Sequence, residues 1–214
     1  MLGFIGGTGP EGRGLALRFA LAGERIVLGS READRAIQAA ETIGNVAPAA
    51  SIQGALNGEA ARVCDIAFVV VPYAAQKPTL AMLREELAGK IVVVVVAPLA
   101  FDKGVARAIA VEQGSAALEA QDLLPQSTIV GAFQNLSADE LLRPEKSMSC
   151  DVIVCSDDGA SKETVMKLAE LIHGARAVDG GGLANSKYVE DFTALLININ
   201  RIYKAHSMVK IVGI

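Results

Sequence analysis

Three glycines, Gly7, Gly9 and Gly12, stand in a G-x-G-x-x-G frame directly after the apolar run Leu2–Ile5. That spacing is the chemistry of a phosphate loop. Gly7 permits a tight turn, Gly9 lets the backbone approach a pyrophosphate, and Gly12 lets a helix pack close on its strand. The helix that follows adds N–H donors and the positive end of its dipole. Alone the frame is a weak signal, because three glycines also serve a plain β–α turn. A strand before it, a helix after it and a second strand at the right distance strengthen it. That second strand, Arg25–Ser30, ends in "GSREADR" and not in the Asp or Glu that takes the ribose hydroxyls of NAD. Ser30, Arg31 and Arg35 instead suit a 2′-phosphate through charge-assisted hydrogen bonds, with Glu32 and Asp34 turned to solvent. These residues point to NADP rather than NAD.

Little else in the chain suggests a reactive centre. Cys64, Cys150 and Cys155 form no C-x-x-C pair and lie in or beside apolar segments, as small buried hydrophobes of a reducing compartment do. Two histidines, His173 and His206, are too few for a His/Cys metal site, so no metal is expected. His173 precedes Gly174 at a helix end, where an interaction with the dipole is its ordinary role. A net charge of −4 with no basic block argues against a nucleic-acid partner. No apolar stretch approaches the roughly eighteen residues of a membrane span. The longest, Ile91–Phe101, contains Pro98 and is β-branched, so it reads as a buried strand. Met1 leads almost at once into the first strand with no basic n-region, which suggests a cytoplasmic protein without a signal peptide.

The elements that must position the loop alternate along 214 residues, 51% of them hydrophobic and 21% charged. Strands are expected at Leu2–Ile5, Arg25–Ser30, Ser51–Gln53, Asp65–Pro72, Ile91–Val96 and Ser127–Phe133. Several are continuously apolar, as strands covered on both faces are. Between the first of them, a helix over Gly12–Ala22 is stopped by Gly23, and another carries Ala33, Ala36, Ile37 and Ala40 on one face. After "RPEK" (Arg143–Lys146) come a strand in "DVIVCSDD", a helix with Val165, Leu168, Ala169 and Ile172 inward, and "ARAV" (Ala175–Val178). A glycine-rich break, Asp179–Ser186, precedes a last helix that is apolar around most of its circumference. Such a helix must be buried in a small second domain or against another subunit. The pattern is α/β: a doubly wound Rossmann-type parallel sheet over residues 1–140, then a small C-terminal α/β domain over 141–214 ending in a buried helix. The last helix also suggests a homodimer or larger homo-oligomer.

Taken in order, "GGTGPEGRGLALRFALAGERIVLGSRE", "DIAFVVVP", "APLA", "SAA" (Ser115–Ala117) and "SKYVEDFTALLININR" resemble the NADPH-dependent coenzyme F-420 reductases, also called 8-hydroxy-5-deazaflavin:NADP oxidoreductases. The resemblance spans nearly the whole chain. It implies an oxidoreductase that moves a hydride between NADP(H) and a deazaflavin coenzyme, with the small domain helping to form the deazaflavin pocket. It places Thr8 in the phosphate loop and Ser30, Arg31 and Arg35 at the 2′-phosphate. Pro72 with Tyr73, and Ala97 with Pro98, would flank the nicotinamide. The segment Ala132–Leu136 would face the deazaflavin, with Phe133, Gln134 and Asn135 as contacts to the acceptor ring. Family members often carry histidine where this chain has Gln134, which hydrogen-bonds but holds no charge near neutral pH. A flavin-like, pterin-like or imine acceptor is the alternative that this departure leaves open.

Hydride transfer between two such rings demands no protein nucleophile or metal, only face-to-face alignment with reacting atoms about 3–3.5 Å apart in a dry pocket. Two further readings use other residues. Lys187 and Asn185 invite comparison with β-hydroxyacid dehydrogenases, but a lysine at a helix start is ordinarily a surface residue, and Asn198 and Asn200 suit buried backbone groups. A non-catalytic NADPH sensor would bind the nucleotide and turn nothing over. The cofactor assignment is testable directly: Arg31→Ala should weaken NADPH about 10- to 100-fold, the worth of a hydrogen bond to a charged group, and leave NADH nearly unchanged. Equal losses in titrations of both would remove the 2′-phosphate from Arg31.

Overall fold

A computed structural model describes residues 1–214. The chain runs β1 (Leu2–Ile5), α1 (Pro10–Leu21), β2 (Ile26–Ser30), α2 (Ala33–Val46), β3 (Ile52–Leu56), α3 (Asn57–Val63), β4 (Ile66–Val69), α4 (Tyr73–Met82) and β5 (Ile91–Val94). A hairpin follows, β6 (Leu99–Asp102) and β7 (Val105–Ala108), then α5 (Ala116–Leu123), β8 (Thr128–Gly131) and the short α6 (Ala138–Leu141). The C-terminal part holds β9 (Cys150–Val154), α7 (Gly159–Glu170), β10 (Ala175–Asp179), a 3₁₀ turn at Leu183–Asn185 and α8 (Ser186–Tyr203). No helix is long and apolar enough to cross a membrane.

Six strands form one parallel sheet in the order β3-β2-β1-β4-β5-β8. The continuous apolar runs are explained by alternation across this sheet. At β5 and just after it, Val92, Val94 and Val96 pack under α3, α4 and α5, while Val93 and Val95 pack under α1, α2 and α7. The second layer is anchored by phenylalanines: Phe4 stacks on Phe68 at 4.8 Å, and Phe19 and Phe133 meet edge to face at 6.0 Å. This core does not stop at residue 140. Met148, Cys150, Val152, Val154, Val165 and Leu168 belong to the same cluster as Phe4 and Phe133. The two-stranded parallel sheet β9–β10 joins β8 through an antiparallel bridge, Gly131 to Cys155, with both N–H···O distances 2.9 Å.

Several expected boundaries shift for identifiable reasons. Helix α1 starts at Pro10, whose fixed φ and missing N–H cost nothing in a first turn. On α2 the buried stripe is Ala36, Ala39, Ala40 and Ile43, and Ile37 is 45% exposed. Ile91–Phe101 is not one buried strand: Pro98 ends the run, and Phe101 stands 63% exposed on the hairpin. Helix α8 is not buried all round either. Val189, Ala194 and Leu196 face inward, but Tyr188, Leu195, Ile202 and Tyr203 lie in the open. The cysteines are free and buried, as expected, and burial raises all three thiols.

One buried cation ties the two halves of the chain together. Arg18 of α1 is 4% exposed. Its guanidinium donates to the carbonyls of Leu141 (2.9 Å), Glu140 (2.7 Å), Arg143 (2.7 Å) and Lys146 (2.9 Å). These are the orphan carbonyls at the end of α6 and in the turn beyond it. Further on, Asp151 is fully buried and takes a two-pronged bond from Arg176 (2.9 and 2.7 Å) plus the Ile211 amide at 2.6 Å. The Arg176 bonds hold its carboxyl below the usual range. Arg18→Leu should therefore cost about 3 kcal/mol or more in urea unfolding, since several buried carbonyls lose their donor at once. A loss under about 1 kcal/mol would show that water replaces the guanidinium.

Candidate functional site

The C-terminal edge of the sheet is where a ligand can enter. The chain first moves from β1 to β2 and β3, then returns to β4, β5 and β8 on the other side. The loops leaving β1 and β4 diverge at that reversal, which opens a crevice beside the start of α1. The tight turn after β1 rests on Gly6, at φ +71°, and not on Gly7. The Gly6 amide donates to Asn57 Oδ1 at 3.0 Å, and the Gly7 amide to the Gly29 carbonyl at 3.0 Å. Gly12 is a packing glycine: a Cβ there would stand 2.6 Å from Gly7 Cα. Gly9 differs from both, because a Cβ would meet nothing within 4 Å. Its bare backbone faces open space at the head of α1, with Thr8 half-buried beside it.

On the β2 side a cleft of about 610 Å³ is lined by Ser30, Arg31, Asn57, Arg62, Thr79 and Met82 among others. Ser30 is nearly buried and accepts from the Glu32 amide at 3.2 Å, which orients its hydroxyl at the strand tip. Arg31 is exposed at the rim. Arg35 does not line this cleft; it sits exposed one turn along α2. Arg62 of α3 lines it instead, paired loosely with Glu86 at 3.4 Å. Neither Asn57 nor Arg62 had a signal in the sequence, because α3 is short and lacks a clear apolar period. They reach the cleft only through the β3–α3 crossover.

On the other side, Pro72 is exposed and Tyr73 half-buried at the start of α4. The Tyr73 hydroxyl donates to Glu119 Oε1 at 3.3 Å, and Gln76 Nε2 donates to Glu119 Oε2 at 2.9 Å and to the Ala116 carbonyl at 3.0 Å. Burial, then the neighbouring Glu119, raises the Tyr73 phenol. Ala97 is half-buried and Pro98 buried at the tip of β5, where the Pro98 carbonyl closes the hairpin by accepting from Ile109 at 2.9 Å.

The segment after β8 is more enclosed than expected. Phe133 is fully buried at φ +73°, and its ring points into the aromatic core against Phe19 and Phe68, so it offers no face to a ligand. Gln134 donates to the Val94 carbonyl at 3.0 Å and Asn135 to the Asp151 carbonyl at 2.7 Å. Each keeps one side-chain oxygen, Oε1 and Oδ1, buried without a donor.

Helix α8 organises this half with a line of polar residues. Thr193 Oγ1 donates to the Gln134 carbonyl at 3.0 Å. Glu190 accepts from the Ala116 and Ala117 amides at 2.7 and 3.1 Å, capping α5, while Ser115 caps the same helix by accepting from Leu118 at 3.0 Å. Burial pushes Glu190 up to about 7 against the pull of those amides. Asn198 bonds both backbone groups of Ala106, at 2.9 and 2.8 Å, and so holds the hairpin as a neighbouring strand would. Two blocks far apart in sequence, "SAA" and "SKYVEDF", are thus one structural unit joined by Glu190. Lys187 pairs with Asp191 at 2.8 Å, Asn185 donates to the Gly180 carbonyl at 2.7 Å, and Asn200 accepts from the Ser207 hydroxyl at 2.6 Å. All three have partners within the chain. No group of three or more His, Cys, Asp and Glu side chains converges as a metal site.

Residues 1–98 match the family described as NADP oxidoreductase, coenzyme F420-dependent. The F420-dependent NADP reductase of Methanothermobacter thermautotrophicus is 40% identical over 202 residues, which is 92% of this chain and 87% of that protein. The enzyme of the same name from Methanocaldococcus jannaschii is 37% identical over 210 residues, 95% of this chain and 94% of its own. Among solved structures, a protein from Arthrobacter sp. FB24, provisionally described as an F420-dependent NADP-reductase, superposes with a TM-score of 0.83 over 99% of both chains at 23% identity.

Proposed function

The chain belongs to the coenzyme F420-dependent NADP oxidoreductase family, and we propose that it transfers a hydride between NADP(H) and a deazaflavin coenzyme of the F420 type across the crevice described above. The observation that carries this reading is the identity to F420-dependent NADP reductases along more than nine-tenths of the chain. The donor set fits both ligands. Gly9 leaves the head of α1 bare for a pyrophosphate, and Ser30 and Arg31 meet at the β2 tip to take a 2′-phosphate; the two carboxylates that also line the cleft are engaged, Glu59 with the Leu56 amide at 3.0 Å and Glu86 with Arg62 at 3.4 Å.

In this reading Gly7, Thr8, Gly9 and Gly12 form the phosphate loop. Ser30 and Arg31 hold the 2′-phosphate, with Arg62 as a second cation and Arg35 in the outer field. Pro72, Tyr73, Ala97 and Pro98 wall the nicotinamide. The Glu119 bond keeps the Tyr73 ring in place, and the hairpin, clipped by Asn198, keeps water from one side. Gln134 and Asn135, which are buried and bonded to the Val94 and Asp151 carbonyls, would back the acceptor ring, which would supply the electron sink itself. Gln134 positions without exchanging a proton, so the proton that accompanies the hydride comes from solvent.

We also propose a homodimer in the cytoplasm. The exposed Tyr188, Leu195 and Ile202 of α8, beside an apolar recess of about 390 Å³ lined by Ile153, Phe192 and Val209, suit a second copy of the chain. Three free thiols suit a reducing compartment.

The first experiment mixes protein, NADPH and oxidised coenzyme F420 and follows the deazaflavin's visible absorbance, with NADH and FMN as separate controls. Bleaching with NADPH and F420 alone is expected. NADPH binding without bleaching would reassign the cleft beyond Gln134 to another acceptor or to sensing. Sedimentation at micromolar concentration should give twice the chain mass; a monomer would leave the α8 face without its proposed cover.

A further inference from the structure

The cleft on the β2 side extends well past Ser30 and Arg31, down the length of α3. Ser30 pairs in register with Leu56, and Asn57 Oδ1 accepts from the Gly6 amide at 3.0 Å, so α3 begins beside the phosphate loop. It ends toward the opposite edge of the sheet. There Lys90, the residue before β5, donates to the carbonyls of Ala61, Arg62 and Cys64 at 2.7, 2.8 and 2.6 Å. Arg62 lies about 7.5 Å of helix rise beyond Asn57, and it still lines the cleft, together with Glu86.

Between those ends the walls are largely apolar. On α4, Ala75, Pro78, Thr79 and Met82 fall at the i, i+3, i+4, i+7 spacing of one helical face, and all four line the cleft. Leu56, at the end of β3, lines it as well. Met82 is 81% exposed and Leu56 42%. Two large apolar side chains left in water beside one slot suit a flat ring that would cover them.

The far end is polar in a specific pattern. Arg62 Nη2 donates to Glu86 Oε1 at 3.4 Å, a long bond, and neither side chain makes another. Glu86 is the more sheltered of the two. The other carboxylate of the cleft, Glu59, is committed to the Leu56 amide at 3.0 Å. An acceptor and a donor thus stand side by side at the end of an apolar slot. A planar base whose edge carries an amino group next to a bare ring nitrogen complements them, amino group to carboxylate and ring nitrogen to guanidinium. Adenine has that edge.

We propose that Glu86 is a specificity-determining residue for the base of the dinucleotide: its carboxylate, steadied by Arg62, accepts a hydrogen bond from the 6-amino group of adenine in the slot between α3 and α4. The proposal rests on the nucleotide reading above. With the 2′-phosphate at Ser30 and Arg31, the adenosine runs along α3 toward Glu86, its ring against Leu56 and Met82. A 6-oxopurine in the same place sets oxygen against carboxylate, and a site built to take an N–H rejects a ligand that lacks it.

The test compares the affinity of NADPH with that of its 6-oxo (hypoxanthine) analogue, by titrating the fluorescence of the reduced nicotinamide with the parent and with Glu86→Gln. The parent should favour NADPH about 10- to 100-fold, the worth of one hydrogen bond to a charged group. A glutamine amide can turn either its oxygen or its N–H to the base, so Glu86→Gln should bring the two nucleotides within about threefold. Loss of the negative charge alone would strengthen both equally, so the ratio is the readout and neither affinity by itself. Equal binding of the two nucleotides by the parent, or the parent's ratio retained in Glu86→Gln, would overturn the proposal and leave the nucleotide site standing. Should Glu86→Gln fail to fold, Glu86→Ala decides by the same ratio, which should again collapse. Failure of the parent to bind NADPH at all would overturn the nucleotide reading, and this proposal with it.

Discussion

The close approach of helix α1 to the turn after β1 is the constraint from which the rest of the molecule follows. Gly7 and Gly12 meet backbone to backbone, at a distance that leaves no room for a methyl group. That contact sets the axis of α1 relative to the sheet and fixes three things at once. It brings the helix N-terminus to the crevice, with Gly9 bare in front of it. It seats Phe19 in the aromatic cluster on one face of the sheet. It also aims Gly14 and Arg18 at the segment after β8, which supplies α6 and leads into the C-terminal strands. A helix tilted away at Gly12 would lose its place at the crevice and the Arg18 bonds together.

The C-terminal part contributes to the site through polar side chains carried on an otherwise apolar helix. Glu190, Thr193 and Asn198 of α8 each bond backbone groups of a different loop: the start of α5, the end of β8 and the hairpin. Burying these groups is costly unless each finds its partner. Each does, so the register of α8 against the crevice is unique. The same helix turns its other face outward with Tyr188, Leu195 and Ile202. One element thus braces three loops around the crevice and carries the chain's exposed apolar stripe.

Much of this was legible in the sequence where the signal is local. Strand β1 lies at the expected residues, and β2, β5, β8, β9 and β10 within a few residues of them, because each is a short apolar run bounded by turn residues. The alternation of strands and helices sufficed for a doubly wound sheet, and the glycine spacing with the serine–arginine tip of β2 sufficed for the expectation of NADP. The rest depends on partners distant in sequence. Nothing around Asn57 or Arg62 distinguishes them from other polar residues of a short helix until β3 and its crossover bring them to Ser30. Phe133 looks like a ring available to a ligand until its positive φ turns it into the core.

By itself the sequence determined the order and type of the elements, the layered class of the fold and the glycine-rich turn before α1, because these are written in spacings of a few residues, at periods of two and 3.6 and in glycine positions. The tertiary structure alone decided which glycine turns the chain, which cations share the cleft, where the hairpin leaves the sheet and that Glu190 and Asn198 tie α5 and the hairpin to α8. Those outcomes depend on hydrogen bonds between residues up to 92 positions apart. Partners at that separation are chosen by how the layers pack, which no local pattern encodes.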